Sequence, residues 1–447
     1  MPMNRRQFVA GTSAALAAAG APWISRPLSR PNLLFILADD MGYGDLSSFG
    51  RRDYRTPELD RLGQTGVRFV NAYSAASVCT PTRGGFMTGR YPARLPAGLQ
   101  QPMSWVNEND GLPPGYPTIA SQLKERGYDT ALIGKWHLGY RPEFGPLSHG
   151  FDEFFGILSG GVDYYTHRDA LRKLDLHEGL VTVDKVGYLT DLLSERAVEY
   201  VSRSRSRPFY LSLQYTAPHW PWEGPGEHLA DTTVNGFEGG GSVRVFGEMV
   251  RSLDTGIGKV VAALARKRID RNTLVIFTSD NGGERYSNNW PYQKAKGTLW
   301  EGGIRVPALM HWPGTIPSGH TSEALAITMD WTATLLAAGG GIPATGYPLD
   351  GMDLLPAAKR VTIPGERTLF WRQPFMRYNQ QPEQEAVHRG RWKYLSVDGM
   401  RRLFDIEADP GEKADLAGRH PGLLRSLQQT FERWNRELPA RDPRPPQ

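Results

Sequence analysis

Four apolar runs limit what this chain can fold into more than any other feature of it. Asn32-Leu-Leu-Phe-Ile-Leu-Ala38, Asp129-Thr-Ala-Leu-Ile133, Pro208-Phe-Tyr-Leu-Ser-Leu-Gln214 and Thr273-Leu-Val-Ile-Phe-Thr278 are continuous rather than alternating, as strands covered on both faces are. Helix-like stretches lie between them. Thr56-Pro57-Glu58 opens one, with Thr as the expected cap and Pro in the first turn. Thr118 to Arg126 forms a second, stopped at Gly127, and longer helices are expected around 188–202 and 245–268. Strands alternating with helices imply an α/β fold, a mainly parallel sheet between helical layers. At 447 residues, 40% hydrophobic and 22% charged, the chain can bury a sizeable core and carry a second, smaller unit.

The residues just past each run are chemically loaded. The first run enters Asp39-Asp40, the second Gly134-Lys135-Trp136-His137, the third Ala217-Pro218-His219-Trp220-Pro221, and the fourth Ser279-Asp280-Asn281-Gly282-Gly283. Taken singly, each has a plain structural reading. Paired Asp residues cap turns, Asp-Asn-Gly-Gly makes one, and a histidine between prolines bonds within its loop. Four strand ends carrying such groups together point to one ligand site, because open α/β sheets bind ligands at the carboxyl edge of their strands.

The chain's one cysteine stands in Ser77-Val-Cys79-Thr80-Pro81-Thr82-Arg83. By default such a residue is a small buried apolar group. A phosphatase-type thiolate loop needs five residues between Cys and Arg, and here there are three. Cys79-Thr-Pro-Thr-Arg83 fits a C-x-P-x-R signature. Together with Asp39-Asp40, Lys135-Trp136-His137, His219, Asp280-Asn281 and Lys296 in Lys296-Gly-Thr-Leu-Trp-Glu-Gly-Gly303, it resembles the sulfatase family. The resemblance runs from about residue 31 to the segment Leu403-Phe-Asp-Ile-Glu-Ala-Asp-Pro410.

The resemblance implies an alkaline-phosphatase-like fold with a smaller C-terminal antiparallel sheet and helix. It also implies hydrolysis of sulfate esters by a formylglycine (3-oxoalanine), made from Cys79 by a maturation enzyme. Asp39, Asp40, Asp280, Asn281 and residue 79 would hold a divalent cation. Oxygen ligands suit a hard ion, Ca²⁺ better than Mg²⁺ for a site built mostly from protein groups, and disfavour zinc. In the family's arrangement a hydroxyl of the hydrated aldehyde attacks sulfur. Lys135 and Lys296 hold sulfate oxygens, Arg83 holds the hydrate, His219 protonates the departing alcohol, and His137 takes the proton whose loss releases sulfate. Three cationic side chains and a dication against three carboxylates leave the pocket positive, which attracts an anionic ester.

Local expectations accompany this. Residue 79 should open a helix, with Pro81 in its first turn and Thr80 and Thr82 available for capping. Gly84-Gly85 is a poor helix sequence, costing about 1 kcal/mol per glycine relative to alanine, so packing must compensate or backbone must approach something closely. The segments 139–186 and 282–303 are too long for plain connections and are candidates for the pocket wall. Asp163, Tyr164, Tyr165, His167, Trp220, Trp222 and Trp290 would offer stacking and hydrogen bonds to a sulfated carbohydrate or an aryl sulfate.

The formal net charge is +5, but Arg5, Arg6, Arg26 and Arg30 carry four of those charges in a stretch without acids. The remainder is nearly neutral, which argues against a nucleic-acid partner. Asn4-Arg5-Arg6-Gln7-Phe8 before an Ala/Gly-rich run reads as a twin-arginine-like export signal over residues 1–30, handled by the export machinery and leading to a periplasmic or secreted protein. No later segment has the length and apolarity of a transmembrane helix, and one cysteine allows no intrachain disulfide.

Residues 31–359 are expected to form the catalytic domain and 360–437 a small α+β subdomain, ahead of a disordered tail at 438–447. In that subdomain Arg367–Arg372, Glu385–Leu395 and Arg402–Ile406 read as short strands separated by turns, followed by a helix over about 422–436. Two other functions stand beside this one: a phosphonate monoester or phosphodiester hydrolase on the same scaffold, which would share the metal, the aldehyde and the positive pocket, and a carbohydrate-binding protein without catalysis, which nothing in the sequence supports since every expected catalytic residue is present.

Overall fold

The computed structural model describes residues 30–103, 108–226, 239–361, 366–377 and 379–440. The expected export signal and most of the expected tail lie outside the described residues.

A ten-stranded sheet organises the chain. From edge to edge it runs β11 (His320–Ser322), β2 (Val67–Phe69), β10 (Ala308–His311), β9 (Thr273–Ser279), β1 (Asn32–Ala38), β8 (Phe209–Gln214), β4 (Asp129–Lys135), β5 (Glu153–Ile157), β6 (His177–Glu178) and β7 (Val181–Thr182). The central strands β9, β1, β8, β4 and β5 are parallel throughout. β10 lies antiparallel between β9 and β2, and the β6–β7 hairpin closes the far edge. A two-residue ladder, β3 (Ala72–Tyr73) with β12 (Ala326–Ile327), stands beside it.

All seven residues of β1 are buried, and they feed two cores in alternation. Leu34, Ile36 and Ala38 join α1 (Pro57–Thr65), α4 (Leu189–Ser202) and α5 (Val243–Arg266). Leu33, Phe35 and Leu37 join α2 (Cys79–Thr88), α3 (Ile119–Glu125), α7 (Thr328–Ala338) and α8 (Leu355–Ala358) on the other face. Each such Leu or Phe contributes about 1.5–3 kcal/mol, so the sheet is held in place from both sides.

The C-terminal residues add a four-stranded antiparallel meander, β13 (Thr368–Gln373), β14 (Gln384–Arg389), β15 (Trp392–Val397) and β16 (Met400–Asp405), with α9 (Pro421–Asn435) against it. Leu369, Trp371, Leu395 and Leu403 pack with Phe431 and Trp434 of α9 and with Tyr73, Ile327 and Ile304, the last from α6 (Glu301–Ile304). The third core therefore fuses the small sheet to the region around the large one. The stretch Glu385–Leu395 proves to hold two strands, because Gly390 turns the chain at φ 56 and Arg389 pairs with Trp392.

One cap differs from expectation. Thr56 makes no side-chain cap for α1; its hydroxyl bonds Asp60 instead, at 3.1 Å. The N–H groups of Glu58 and Leu59 donate to Asp254 of α5, at 3.2 and 2.8 Å. A carboxylate from the neighbouring helix thus satisfies the orphan donors that a local cap usually takes. Burial raises Asp254 to about 6 against the pull of those two N–H groups.

Candidate active site

Strand register builds the site. Ala38 pairs with Ser279, and Leu37 and Gly134 both pair with Gln214, so Asp39-Asp40, Asp280-Asn281, Lys135 and His219 leave the sheet along one edge. Gly134 is where β4 must be glycine. Its φ is +118, and a Cβ there would lie 1.8 Å from the Gln214 carbonyl oxygen. Asp40 and His137 also adopt positive φ, 63 and 52. Such backbone is disfavoured for residues with a Cβ and persists where surrounding bonds fix it.

The acids and cations interlock. Lys135 Nζ donates to Asp39 Oδ2, with Arg83 Nη2 at 3.4 Å from the same oxygen. Arg83 Nη2 reaches Asp280 Oδ2 at 3.2 Å, and its Nη1 donates to the Lys135 carbonyl and to Gln214 Oε1, at 2.9 and 2.6 Å. Asp40 Oδ2 accepts from Lys296 Nζ at 2.7 Å and Asp40 Oδ1 from Asn281 Nδ2 at 2.7 Å. The Asp40 N–H donates to Asp280 Oδ1 at 3.1 Å. Asp39, Arg83, Lys135, Asp280 and Asn281 have no exposed surface.

Two oxygens in this network, Asp39 Oδ1 and Asn281 Oδ1, are buried without a hydrogen-bond partner among the described residues. Oxygens in that state are costly unless something else binds them. Ligand atoms of Asp39, Cys79 and Asp280 lie within 4.8 Å of one another, as do those of Asp39, Asp40 and His219. The donor set therefore fits a hard divalent cation, with oxygens in the majority and two of them still open.

Cys79 is the first residue of α2, as expected, and every residue of that helix is buried. Thr80 and Thr82 do not cap it. The residue before the helix is Val78, whose side chain cannot accept; Thr80 Oγ1 accepts from Met103 N at 3.0 Å, and Thr82 Oγ1 bonds the backbone of Ala76. The glycine pair is explained by packing, since a Cβ on Gly84 would lie 2.6 Å from Leu95 and one on Gly85 3.2 Å from Ala75.

The two histidines flank the cluster. His219 Nδ1 pairs with the Trp220 carbonyl at 2.6 Å, which leaves Nε2 facing Asp40 Oδ2 at 3.6 Å. His137 Nε2 lies 3.3 Å from the Met103 carbonyl. Both expected wall segments reach the site: 282–303 supplies Lys296, and in 139–186 a Cβ on Gly160 would lie 2.8 Å from the His137 ring and one on Gly161 3.3 Å from that of His219. The Trp220 ring lies tilted against His219, centroids 4.2 Å apart at an interplanar angle of 41°, with Lys296 Nζ 5.9 Å from its ring centre.

The other wall candidates, Trp290 apart, make bonds or contacts within the scaffold. Tyr164 is buried and donates to the His219 carbonyl, Asp163 accepts from the N–H groups of Tyr165 and Thr166, and the Tyr165 hydroxyl donates to Gly224 O. His167 is buried against Gly187 O, and Trp222 is buried. Trp290 is 73% exposed.

Burial and charge set the proton affinities. Burial, reinforced by Asp280, raises Asp39 to about 6. Burial pushes Asp40 the same way, but Lys296, His219 and Lys135 outweigh it and hold that carboxyl well below the usual range. Burial raises the Cys79 thiol despite Lys135 and Lys296. Burial, then Lys135 and Arg83, keeps His137 far below its ordinary value, and burial with Lys296 lowers His219 to about 4.

Gln214 and the Met103 carbonyl did not stand out in the sequence. Gln214 carried a signal, since it ends one of the four apolar runs. A carbonyl carries none.

A family model described as Sulfatase matches residues 31–342. The N-acetylgalactosamine-6-sulfatase of Canis lupus familiaris is 35% identical, covering 77% of this chain and 68% of its own. Arylsulfatase J of Mus musculus is 32% identical over 93% of this chain and 78% of its own. Among solved structures, Ps i-CgsB in complex with k-i-k-neocarrahexaose superposes at TM-score 0.82 and 32% identity, covering 91% of this chain and 93% of that one. Matches of this extent, over a sheet edge where the expected motifs converge, place the chain in the sulfatase family, as a sulfuric ester hydrolase.

Proposed function

We propose that residue 79 is the nucleophile of this hydrolase once its thiol has been oxidised to formylglycine by a maturation enzyme, and that Asp39, Asp40, Asp280, Asn281 and residue 79 hold one divalent cation, Ca²⁺ in preference to Mg²⁺. The observation that carries this reading is the pair of open buried oxygens, Asp39 Oδ1 and Asn281 Oδ1, in a cluster where ligand atoms of Asp39 and Asp280 lie within 4.8 Å of that of Cys79. When bound, the cation supplies positive charge at the reacting centre and lowers the pKa of a hydroxyl beside it.

The chain's own residues do the rest. Lys135 and Lys296 are paired with Asp39 and Asp40; with those carboxylates engaged as metal ligands, both ammonium groups would turn to sulfate oxygens. Arg83 is fixed by Gln214 and Asp280 and holds the side chain at 79. His219 keeps its Nδ1–H on a carbonyl, so Nε2 faces the site and, in the imidazolium form, would carry the proton given to the departing alcohol. Burial, then Lys296, depresses His219, and an anionic ester beside Lys296 and Lys135 would offset the part due to charge. His137, held neutral, accepts a proton from residue 79 as sulfate leaves.

Trp220 beside His219 favours a flat or ring-shaped alcohol, and we take the substrate to be a sulfated carbohydrate or an aryl sulfate, in keeping with the names of the relatives. Export in folded form fits an oxidation completed before the chain leaves the cytoplasm, and a periplasmic or secreted destination; among the described residues no helix is long and apolar enough to cross a membrane. Comparing turnover of a nitrophenyl sulfate with that of the matching phosphonate monoester tests the reading. Preference for the sulfate is expected, and a strong preference for the phosphonate would overturn it.

A further inference from the structure

Resting on that reading, we infer that Gln373 and Gln384 of the small C-terminal sheet are positioning residues that fix residue 79 and Lys296 relative to each other. The strand period explains how they reach the site. Leu369, Trp371 and Gln373 are the buried positions of β13; Trp371 Nε1 donates to Ser74 O at 2.8 Å, and two residues further along Gln373 meets Ser77. The β13–β14 register sets Gln384 directly opposite Gln373.

Their amides bind the two stretches that carry the chemistry. Gln373 Oε1 accepts from Ser77 Oγ, two residues before Cys79, and Gln373 Nε2 donates to Gly297 O at 2.9 Å, one residue after Lys296. Gln384 Nε2 donates to the same carbonyl at 3.2 Å, while Gln384 Oε1 accepts from Leu299 N at 2.8 Å. The ring closes through Gly297 N, which donates to Ser77 O at 2.8 Å.

Both stretches lie outside the sheet ladders, so no strand pairing sets their separation. Gln373, Gln384 and Ser77 are all buried, beside a core of aromatic and aliphatic side chains. A buried amide there gains little over an apolar residue in stability and leaves costly orphan groups if misplaced. What it adds is directional constraint, and a misplacement of about 1 Å at a reacting centre costs on the order of 100-fold in rate.

The test uses the full-length matured enzyme, with formylglycine and calcium content measured for every variant, and reads kcat and KM on a nitrophenyl sulfate. Gln373→Ala is expected to lower kcat by roughly 10- to 100-fold with KM changed less than about threefold. Trp371→Phe, which loses a hydrogen bond in the same interface but not at the ring, is expected to lower the melting temperature and leave kcat per matured molecule unchanged. Should Gln373→Ala not fold, Ser77→Ala removes the same bond from its other end and is expected to lower kcat; where both fold, their double variant is expected to be no worse than the poorer single one. Wild-type-like kcat per matured site in Gln373→Ala, or in Ser77→Ala where that variant stands in, overturns the clamp while leaving the proposed function intact. A matured wild-type chain that hydrolyses no sulfate ester overturns both.

Discussion

Two clusters of buried charge among the described residues differ in what their oxygens face: in one, two oxygens have neither a hydrogen-bond nor an ion-pair partner, and in the other every carboxylate oxygen of Glu301 and Glu412 faces a cation or a donor. At the strand ends Asp39, Asp40 and Asp280 face Arg83, Lys135 and Lys296, with two buried oxygens still open. Under the small sheet, Glu301 and Glu412 face Lys393 and Arg305. Glu301 Oε1 takes Lys393 at 2.8 Å, Glu301 Oε2 takes Tyr73 and Arg305 at 2.7 and 3.1 Å, and Lys393 also lies 2.9 Å from Glu412. The second cluster closes on itself and ties α6 to β15. Burial of charge is therefore not what marks a site. Leftover valence at the carboxyl edge of a parallel sheet, where such folds bind ligands, is the better mark.

The largest effect that would break this contrast belongs to Cys79→Ala. It is expected to reduce turnover on the order of 10⁴-fold or more while leaving the melting curve close to wild type; a steady-state assay beside a thermal scan checks both. His219→Ala comes next. It is expected to cost about 10²–10⁴-fold on alkyl or sugar sulfates and far less on activated phenyl sulfates, because only poor leaving groups need the proton. Equal losses on the two substrate types would remove His219 as the acid.

The closed cluster is expected to answer in stability rather than rate. Lys393→Met leaves Glu301 and Glu412 buried without their shared cation and is expected to cost about 3–5 kcal/mol in denaturant unfolding, with turnover per folded molecule retained. The smallest effect concerns pH. Two carboxylates share Lys393, so burial keeps Glu412 protonated up to about 7, above its unfolded range near 4.5. The folded state then binds more protons than the unfolded one in that window, and stability falls as pH rises through it. Glu412→Gln is expected to flatten that slope between about pH 5 and 7, measured as unfolding free energy against pH; an unchanged slope would assign it to other acids.

How much of this was legible depends on where the information sits. Four of the five central strands were readable because burial on both faces leaves an unbroken apolar run, whereas β5, five residues inside the segment 139–186, was not; Asp39, Asp40, Lys135, His137, His219, Asp280 and Asn281 were readable because they lie at or just past the ends of those runs, and Cys79, Arg83 and Lys296 through their motifs. β2, β3, β6, β7, β11 and β12 hold two or three residues each, too few to show a period. Capping by Asp254 and the clamp by Gln373 were hidden for a different reason: Ser77 and Gln373 are 296 residues apart, and an amide that acts through another residue's backbone leaves no local pattern. The Thr80 and Thr82 caps were misplaced because α2 starts at Cys79 itself, which puts both hydroxyls inside the helix rather than before it.

Mass analysis of the peptide spanning residue 79, made on the same preparation whose specific activity is known, tests the central claim most directly. The account predicts an aldehyde, or its hydrate, at that position in a fraction of molecules that rises in proportion to activity. A fully active preparation in which Cys79 is still an intact thiol would contradict it.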